Sequence, residues 1–148
     1  MRFWLTAGAV LVLDRLSKWW IMENMNVGDS WAFITGMVNI RFIQNEGAAF
    51  GILQGRGLLF ILMAIIVIIA TIYFIKKYQL PPMAHYALGL IVGGALGNLI
   101  DRIMYGSVVD FISVGWFPVF NIADSAIVCG GIILVLWMFI DETFKSAA

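Results

Sequence analysis

Charged side chains are scarce in this sequence: they make up 12% of its 148 residues, whereas hydrophobic residues make up 62%. So small a share of charge excludes an ordinary soluble domain and indicates a protein of the lipid bilayer. The nine basic and nine acidic side chains cancel, so no excess of positive charge indicates a nucleic acid as partner. The single cysteine, Cys129, excludes an internal disulfide and any site built from several cysteines.

Four apolar segments are long enough to cross a bilayer, at about residues 3–22, 58–75, 86–104 and 120–140. The second is free of charge, whereas the others carry Asp14, Asp101 or Asp124, and charge that faces lipid is costly. We therefore expect those three segments to turn their acidic faces toward each other. The prediction is an all-α membrane fold, a bundle of four transmembrane helices that forms one membrane-embedded domain over residues 1–148.

The basic residues of the connections predict the orientation. One side of a four-span arrangement holds Arg2, Lys76, Lys77 and Lys145, and the other side holds Arg41 and Arg56. Since basic residues accumulate in cytoplasmic loops, both termini are predicted in the cytoplasm.

Residues 24–57 form the one sizeable insert between predicted spans, and this orientation puts it outside the cytoplasm. Val38, Ile40 and Phe42 alternate with polar residues, a pattern that favours a β-strand. The NEGAAFG stretch that follows supplies residues typical of turns. We predict a small sheet on the outer surface of the membrane.

Two acids, Asp110 and Asp124, stand fourteen positions apart with no basic residue or histidine between them. Gly115 and Pro118 lie in that interval and allow the chain to reverse, so both acids can meet at the outer mouth of the bundle. Two carboxyl groups in an apolar pocket do not both ionise cheaply, which leaves one as a general base and the other as a general acid. Their spacing alone also fits a helix cap and a surface charge.

Helix-like spacings link further polar residues to this end of the bundle. Asn98 and Arg102 are four apart and share one helix face, while Asp14 and Lys18 have the spacing of a salt bridge. Arg102 either pairs with an aspartate or donates to a substrate. In the same predicted helix, three glycines recur every fourth residue and give one smooth face for close helix packing: Gly89, Gly93 and Gly97.

The sequence lacks the residues that a serine-protease triad or a metal site would need at the outer mouth. His85, the single histidine, falls in the predicted cytoplasmic connection and cannot complete a Ser-His-Asp triad at the outer mouth. Two aspartates without a nearby His or Cys leave a metal one ligand short, so we predict neither a metal nor another cofactor. A small transporter or proton relay and a non-catalytic scaffold remain as alternatives, because acids inside a membrane often mark ion pathways.

Five short blocks match a known family, in the family's order: LDRLSK at 13–18, QNEGAAFG at 44–51, GGALGNLIDR at 93–102, VVDFI at 108–112 and FNIADSAI at 120–127. Over almost its whole length the chain closely resembles the lipoprotein signal peptidases, also called signal peptidase II. Arg15 and Ser17 are mild departures, since many members carry Gln and Thr there.

The resemblance implies a multi-pass aspartyl endopeptidase of the bacterial inner membrane, with its site on the extracytoplasmic side. Such an enzyme removes the signal peptide from prolipoproteins before a cysteine that carries diacylglycerol. Asp110 and Asp124 would be the catalytic dyad. The implied substrate-binding residues are Asn45, Asn98, Arg102 and Asn121. The implied supporting residues are Asp14, Lys18, Gly47, Asp101 and Ala123.

The same resemblance implies surroundings for the site. The family fold adds a small extracytoplasmic β-cradle and a short flanking helix to the four spans. Its partners are the modified prolipoprotein and membrane lipids, and the cyclic peptide globomycin inhibits it by occupying the site.

Overall fold

Long helices dominate the computed structural model, which describes residues 1–47 and 54–140. The helices are α1 (Arg2–Asn24), α2 (Gly57–Lys77), α3 (Pro82–Tyr105) and α4 (Ile122–Ile140). The strands are β1 (Ser30–Ile34), β2 (Val38–Asn45) and β3 (Val108–Val114). The fold is therefore mostly helical, with one small sheet.

Three of the helices, α2, α3 and α4, are long and apolar enough to cross a membrane. Helix α2 buries Thr71 and leaves most of its leucine and isoleucine side chains exposed, as a helix against lipid does. Helix α1 has 23 residues and sufficient length, but it carries Asp14, Arg15 and Lys18 in its second half. Composition and length thus support three of the four predicted spans.

Helix α3 is the centre of the bundle and packs against α1, α2 and α4. Its glycines let α1 approach closely, as their spacing predicts. A Cβ atom at Gly93 would lie 2.7 Å from the carbonyl oxygen of Ala7, and one at Gly89 would lie 2.8 Å from that of Phe3. At Gly97 an added Cβ would collide with the carboxyl group of Asp14. The glycine face is therefore the α1–α3 interface.

The strands form one antiparallel sheet in the order β1, β2, β3. Strand β2 confirms the strand predicted from the alternation of Val38, Ile40 and Phe42. Strand β3 was not predicted from the sequence. Residues Val108 to Phe111 are all buried, so the strand lacks the alternation of apolar and polar residues that marks a half-exposed strand. The sheet therefore combines the two strands of the insert with a strand that lies between α3 and α4.

An apolar cluster joins the sheet to the end of α1. It consists of Ile21 from α1, Met25 directly after α1, Phe42 from β2, and Val109 and Phe111 from β3. Since successive side chains of a strand point to opposite faces, this packing turns the residue between Val109 and Phe111 away from α1. That residue is Asp110.

The ends of the elements differ in detail from the sequence-based expectation. Helix α3 begins at Pro82, because proline is favourable in the first turn of a helix, so His85 lies in α3 and not in a loop. The part of the chain that the structure describes contains no short helix beside the four long ones. Residues 48–53, which hold most of the predicted NEGAAFG turn, lie outside the described residues.

A pair of neighbouring glycines in α4 tests the close packing. A Cβ atom at Gly130 would lie 2.6 Å from the carbonyl oxygen of Ala87 in α3, whereas one at Gly131 would meet no atom of the described residues within 4 Å. We expect Gly130→Ala to cost about 1–3 kcal/mol of overpacking and to lower the melting temperature in detergent. Gly131→Ala, the matched control, should leave it unchanged. Equal melting temperatures for both variants would contradict the proposed α3–α4 contact.

Candidate active site

Asp110 is buried where β3 faces the helices, with 1% of its surface exposed. One carboxyl oxygen accepts a hydrogen bond of 2.9 Å from Asn45 Nδ2, and the other accepts one of 2.7 Å from Asn121 Nδ2. The sheet register explains the first contact, because Asn45 pairs with Val108 and lies diagonally across from Asp110. Asp110 is therefore not the surface charge that its spacing also allows.

Asp124 lies in the first turn of α4, where Asn121 precedes the helix. Asn121 Oδ1 accepts a hydrogen bond of 2.8 Å from the backbone N–H of Asp124, and Asp124 Oδ2 accepts one of 3.3 Å from the backbone N–H of Asn121. This reciprocal arrangement is a capping box. Asp124 is thus a helix cap, as one alternative holds, and it lines the same cavity as Asp110.

Asn121 is the residue that brings the two acids together. It is fully buried, its amide nitrogen contacts Asp110, and its backbone nitrogen contacts Asp124. Both carboxyl groups therefore lie within hydrogen-bonding distance of one residue, at the sheet end of the bundle.

Asn98, on the face of α3 predicted from its spacing to Arg102, completes the shell around Asp124. Its Nδ2 donates a hydrogen bond of 2.7 Å to Asp124 Oδ1. Its Oδ1 accepts bonds of 2.9 Å from Lys18 Nζ and 3.0 Å from Asn121 Nδ2. A chain of side-chain contacts thus leads from α1 through α3 to α4.

Behind this shell lies an ion cluster made of Asp14, Arg15, Lys18 and Asp101, of which all but the partly exposed Arg15 are buried. Lys18 Nζ is 2.9 Å from Asp14 Oδ2, which confirms the pairing predicted from their spacing, and 2.8 Å from Asp101 Oδ2. Arg15 pairs with the other oxygen of Asp101. Two acids and two bases balance, which is how a bundle in lipid tolerates buried charge.

The two acids of the cluster also hold backbone groups beside the dyad. Asp101 Oδ2 accepts a hydrogen bond of 3.1 Å from the N–H of Val109, next to Asp110. Asp14 Oδ1 accepts one of 3.0 Å from the N–H of Ala123, next to Asp124. Four of the predicted supporting residues therefore lie behind the carboxyl groups, namely Asp14, Lys18, Asp101 and Ala123. The fifth, Gly47, lines the cavity, where its N–H donates to Asn45 Oδ1 at 3.0 Å.

Sequence patterns miss two members of this arrangement, Arg15 and the backbone of Val109. Arg15 lies next to Asp14 in the sequence, but its partner, Asp101, is 86 positions away. A backbone donor leaves no trace in residue type. The departure of Arg15 from the family pattern is the one signal that could have drawn attention to it.

Arg102 does not pair with Asp14 or Asp101. Its guanidinium makes long contacts of 3.4 Å to the carbonyl oxygens of Asn98 and Gly47, and it lies over the ring of Phe60 at 4.9 Å. The N–H groups of Arg102 are therefore weakly engaged and face the cavity that the two acids line. His85 lies 17 residues earlier in α3, about 25 Å away along the axis, and takes no part.

The cavity has a volume of about 650 Å³. Its polar end holds Asn45, Asn98, Arg102, Asp110 and Asp124. Apolar side chains of α2, α3 and α4 form most of the remaining walls, among them Phe60, Met63, Val67, Ile91 and Val128, and residues 117–120 complete them. This is a site for a largely apolar ligand that presents one polar group to the acids.

Burial raises the pKa of Asp110 from its ordinary value of 3.8 to about 7, and the negative charge of Asp124 acts in the same direction. Hydrogen bonds from Asn45 and Asn121 and the charge of Lys18 oppose the shift without cancelling it. Near neutral pH, Asp110 therefore keeps a proton that it can donate.

Comparisons with known proteins agree with the predicted resemblance. A family model described as signal peptidase (SPase) II matches residues 6–140. A lipoprotein signal peptidase of Syntrophomonas wolfei subsp. wolfei is 47% identical over 141 residues, which cover 95% of either chain. One of Halothermothrix orenii is 44% identical over 133 residues, covering 90% of this chain and 92% of the relative. A solved bacterial membrane enzyme, 40% identical, superposes with a TM-score of 0.88 over 95% of this chain and 88% of that one.

The raised pKa of Asp110 predicts how stability depends on pH. A carboxyl group that binds its proton more tightly in the folded state contributes most stability below 3.8, and this contribution is lost as pH rises toward 7. The wild-type protein in detergent should therefore melt at lower temperature at pH 8 than at pH 5, by an amount that Asp110→Asn reduces. The loss is on the order of 4 kcal/mol at most. Parallel pH curves for wild type and variant would contradict the buried, protonated state.

Proposed function

The chain belongs to the signal peptidase II family, and we propose that it is an aspartic endopeptidase that removes signal peptides from prolipoproteins. Cleavage takes place before a cysteine that carries diacylglycerol. The observation that carries the proposal is the pair Asp110 and Asp124, which Asn121 holds together at the polar end of an apolar cavity.

The surroundings of the two acids support a division of roles between them. Asp124 is the general base, because it lies at the positive end of helix α4 and accepts N–H groups of Asn98 and Asn121. Asp110, buried and protonated near neutral pH, is the general acid. The roles follow the rule that different environments divide acid and base between two like residues.

The reaction needs one water molecule. Asp124 takes a proton from the water, and the water oxygen attacks the scissile carbonyl carbon. At the same time Asp110 gives its proton to the carbonyl oxygen. The resulting tetrahedral diol collapses as the C–N bond breaks. The leaving amine takes the proton from Asp124, and the diol returns a proton to Asp110, so the dyad regains its starting state.

The cavity walls fit the two parts of the substrate. The weakly engaged N–H groups of Arg102 can donate to peptide carbonyls, which no water serves in lipid. The cavity lining extends along α3 from Arg102 to Ile91, about 16 Å of helix, and its end at Ala95 and Ile91 is apolar, which suits an acyl chain of the diacylglyceryl cysteine. Substrate and membrane lipids would thus meet the site at the depth where the lipid holds the scissile bond.

The paired charges of α1 support its role as the fourth span. Asp14 and Lys18 are fully buried and face Asp101 rather than lipid, so the usual cost of charge in a bilayer does not apply to them. We infer a four-span protein of the bacterial inner membrane with both termini in the cytoplasm. The sheet and the dyad then lie on the extracytoplasmic side. Trp20 and Trp31, whose ring centroids are 6.1 Å apart, then lie at the membrane–water interface of that side.

A transporter or proton relay has less support. Such a protein would need titratable groups along its path, whereas Asp14, Asp101, Asp110 and Asp124 gather toward one end of the bundle. The described length of α2 carries its only charges, Lys76 and Lys77, in its last turn.

The test is cleavage of a purified diacylglyceryl-modified prolipoprotein in detergent. Asp110→Asn and Asp124→Asn should each lower kcat by about 10²–10⁴-fold while the protein stays folded, because each removes one proton-transfer group. Globomycin should block the wild-type protein.

Asp29→Asn is the matched control. Asp29 closes a turn before β1 through a 2.8 Å bond to the N–H of Asn26, outside the cavity, and its loss should leave kcat within twofold of wild type. Turnover by folded Asp124→Asn at the rate of this control would refute the assignment of the dyad.

A further inference from the structure

We infer that Lys18 is a positioning residue of this reaction, whose ammonium group fixes the side-chain amide of Asn98 in the orientation that donates to Asp124. The inference rests on the proposed function and deepens it, since it gives a specific task to a buried residue that does not line the cavity.

The surroundings of Lys18 leave its ammonium group no freedom. The side chain is fully buried, and its Nζ lies 2.8–2.9 Å from three oxygens, those of Asp14, Asp101 and Asn98. An ammonium group has three N–H donors and no acceptor, so it presents only hydrogens to Asn98.

The amide of Asn98 has two possible orientations, and Lys18 selects one. With Oδ1 toward Lys18 and Asn121, Nδ2 donates to Asp124 at 2.7 Å. The reverse orientation would set the NH₂ group against an ammonium and the oxygen against a carboxylate. A charged donor holds the first orientation more firmly than a neutral donor does.

Charge balance alone does not explain the contact with Asn98. Asp14 and Asp101 carry two negative charges, and Lys18 and Arg15 carry two positive ones, so the cluster is neutral without Asn98. A purely structural lysine would need only its two aspartates to join α1 to α3. Its third partner is the amide that contacts the proposed base.

Two further charged groups face Asp124, Asp110 from β3 and Arg102 from α3. Neither contacts Asn98 Oδ1, whose hydrogen-bond donors in the described residues are Lys18 and Asn121. Removal of Lys18 therefore acts on Asp124 through the amide of Asn98.

The test compares the wild-type protein, which is the reference, with variants that keep the ion cluster neutral. Lys18→Met and Lys18→Gln are each combined with Asp14→Asn, which removes one negative charge together with the positive one and leaves an oxygen to accept the N–H of Ala123. The two double variants share this change and differ in whether residue 18 can donate. Melting temperature, kcat and KM are measured in detergent with the modified prolipoprotein.

Lys18→Met should lower kcat by about 10²-fold relative to the reference, with KM changed less than about threefold, because a misplaced group slows the chemical step. Lys18→Gln should lose only about tenfold, since a neutral donor one atom shorter holds the amide less firmly. Such a graded loss of kcat at constant KM is not expected of a residue that serves folding alone.

Three outcomes would overturn the inference: a Lys18→Met kcat within threefold of the reference, equal kcat values for the two variants, or failure of both to fold. The last would make Lys18 a structural residue. If the wild-type protein does not cleave the substrate, the proposed function fails instead. If only Lys18→Met fails to fold, the kcat of Lys18→Gln is the test: a loss of about tenfold supports the inference, and a value within threefold of the reference overturns it.

Discussion

The amide and backbone of Asn121 hold the two acids of the site together, and the rest of the structure serves to place that one residue. Because Asn121 caps α4 and also contacts Asp110 on β3, a helix end and a strand are fixed to each other at a single point. The sheet is anchored to α1 by its apolar cluster, and α4 is packed closely against α3. Elements distant in the sequence thus place both carboxyl groups within hydrogen-bonding distance of Asn121.

Apolar surroundings impose the second constraint, since each buried charge needs a partner. The ion cluster around Lys18 is neutral, and Asp110, Asp124 and Arg102 together are neutral when the two acids hold one proton. The described charges thus have partners within the protein, and apolar residues form the cavity walls beyond its polar end. The same pairing of charges that a bundle in lipid requires would prepare the one acid and one base of the proposed reaction.

Much of this was predictable from local patterns in the sequence. Helical periodicity and apolar length predicted the helices, the four-residue spacing predicted the pair Asp14 and Lys18, and alternation predicted β2. Strand β3 was missed because its first four residues are all buried and show no alternation. Spacing alone did not decide whether Asp124 is a helix cap or a residue of the site. In the structure it forms the capping box of α4 together with Asn121, and it also lines the cavity.

Contacts between residues far apart in the sequence could not be predicted from such patterns. Asn45 meets Asp110 across 65 positions and Arg15 meets Asp101 across 86, through a sheet and a helix pair that form only in the folded chain. The central claim is that Asp110 holds a proton up to about pH 7, because its pKa is raised by burial beside Asp124. Infrared difference spectra of the purified protein test it most directly. We predict a carboxylic-acid band that disappears as pH rises through about 7 and is absent in Asp110→Asn. No such band at pH 6, or one that persists unchanged in Asp110→Asn, would contradict it.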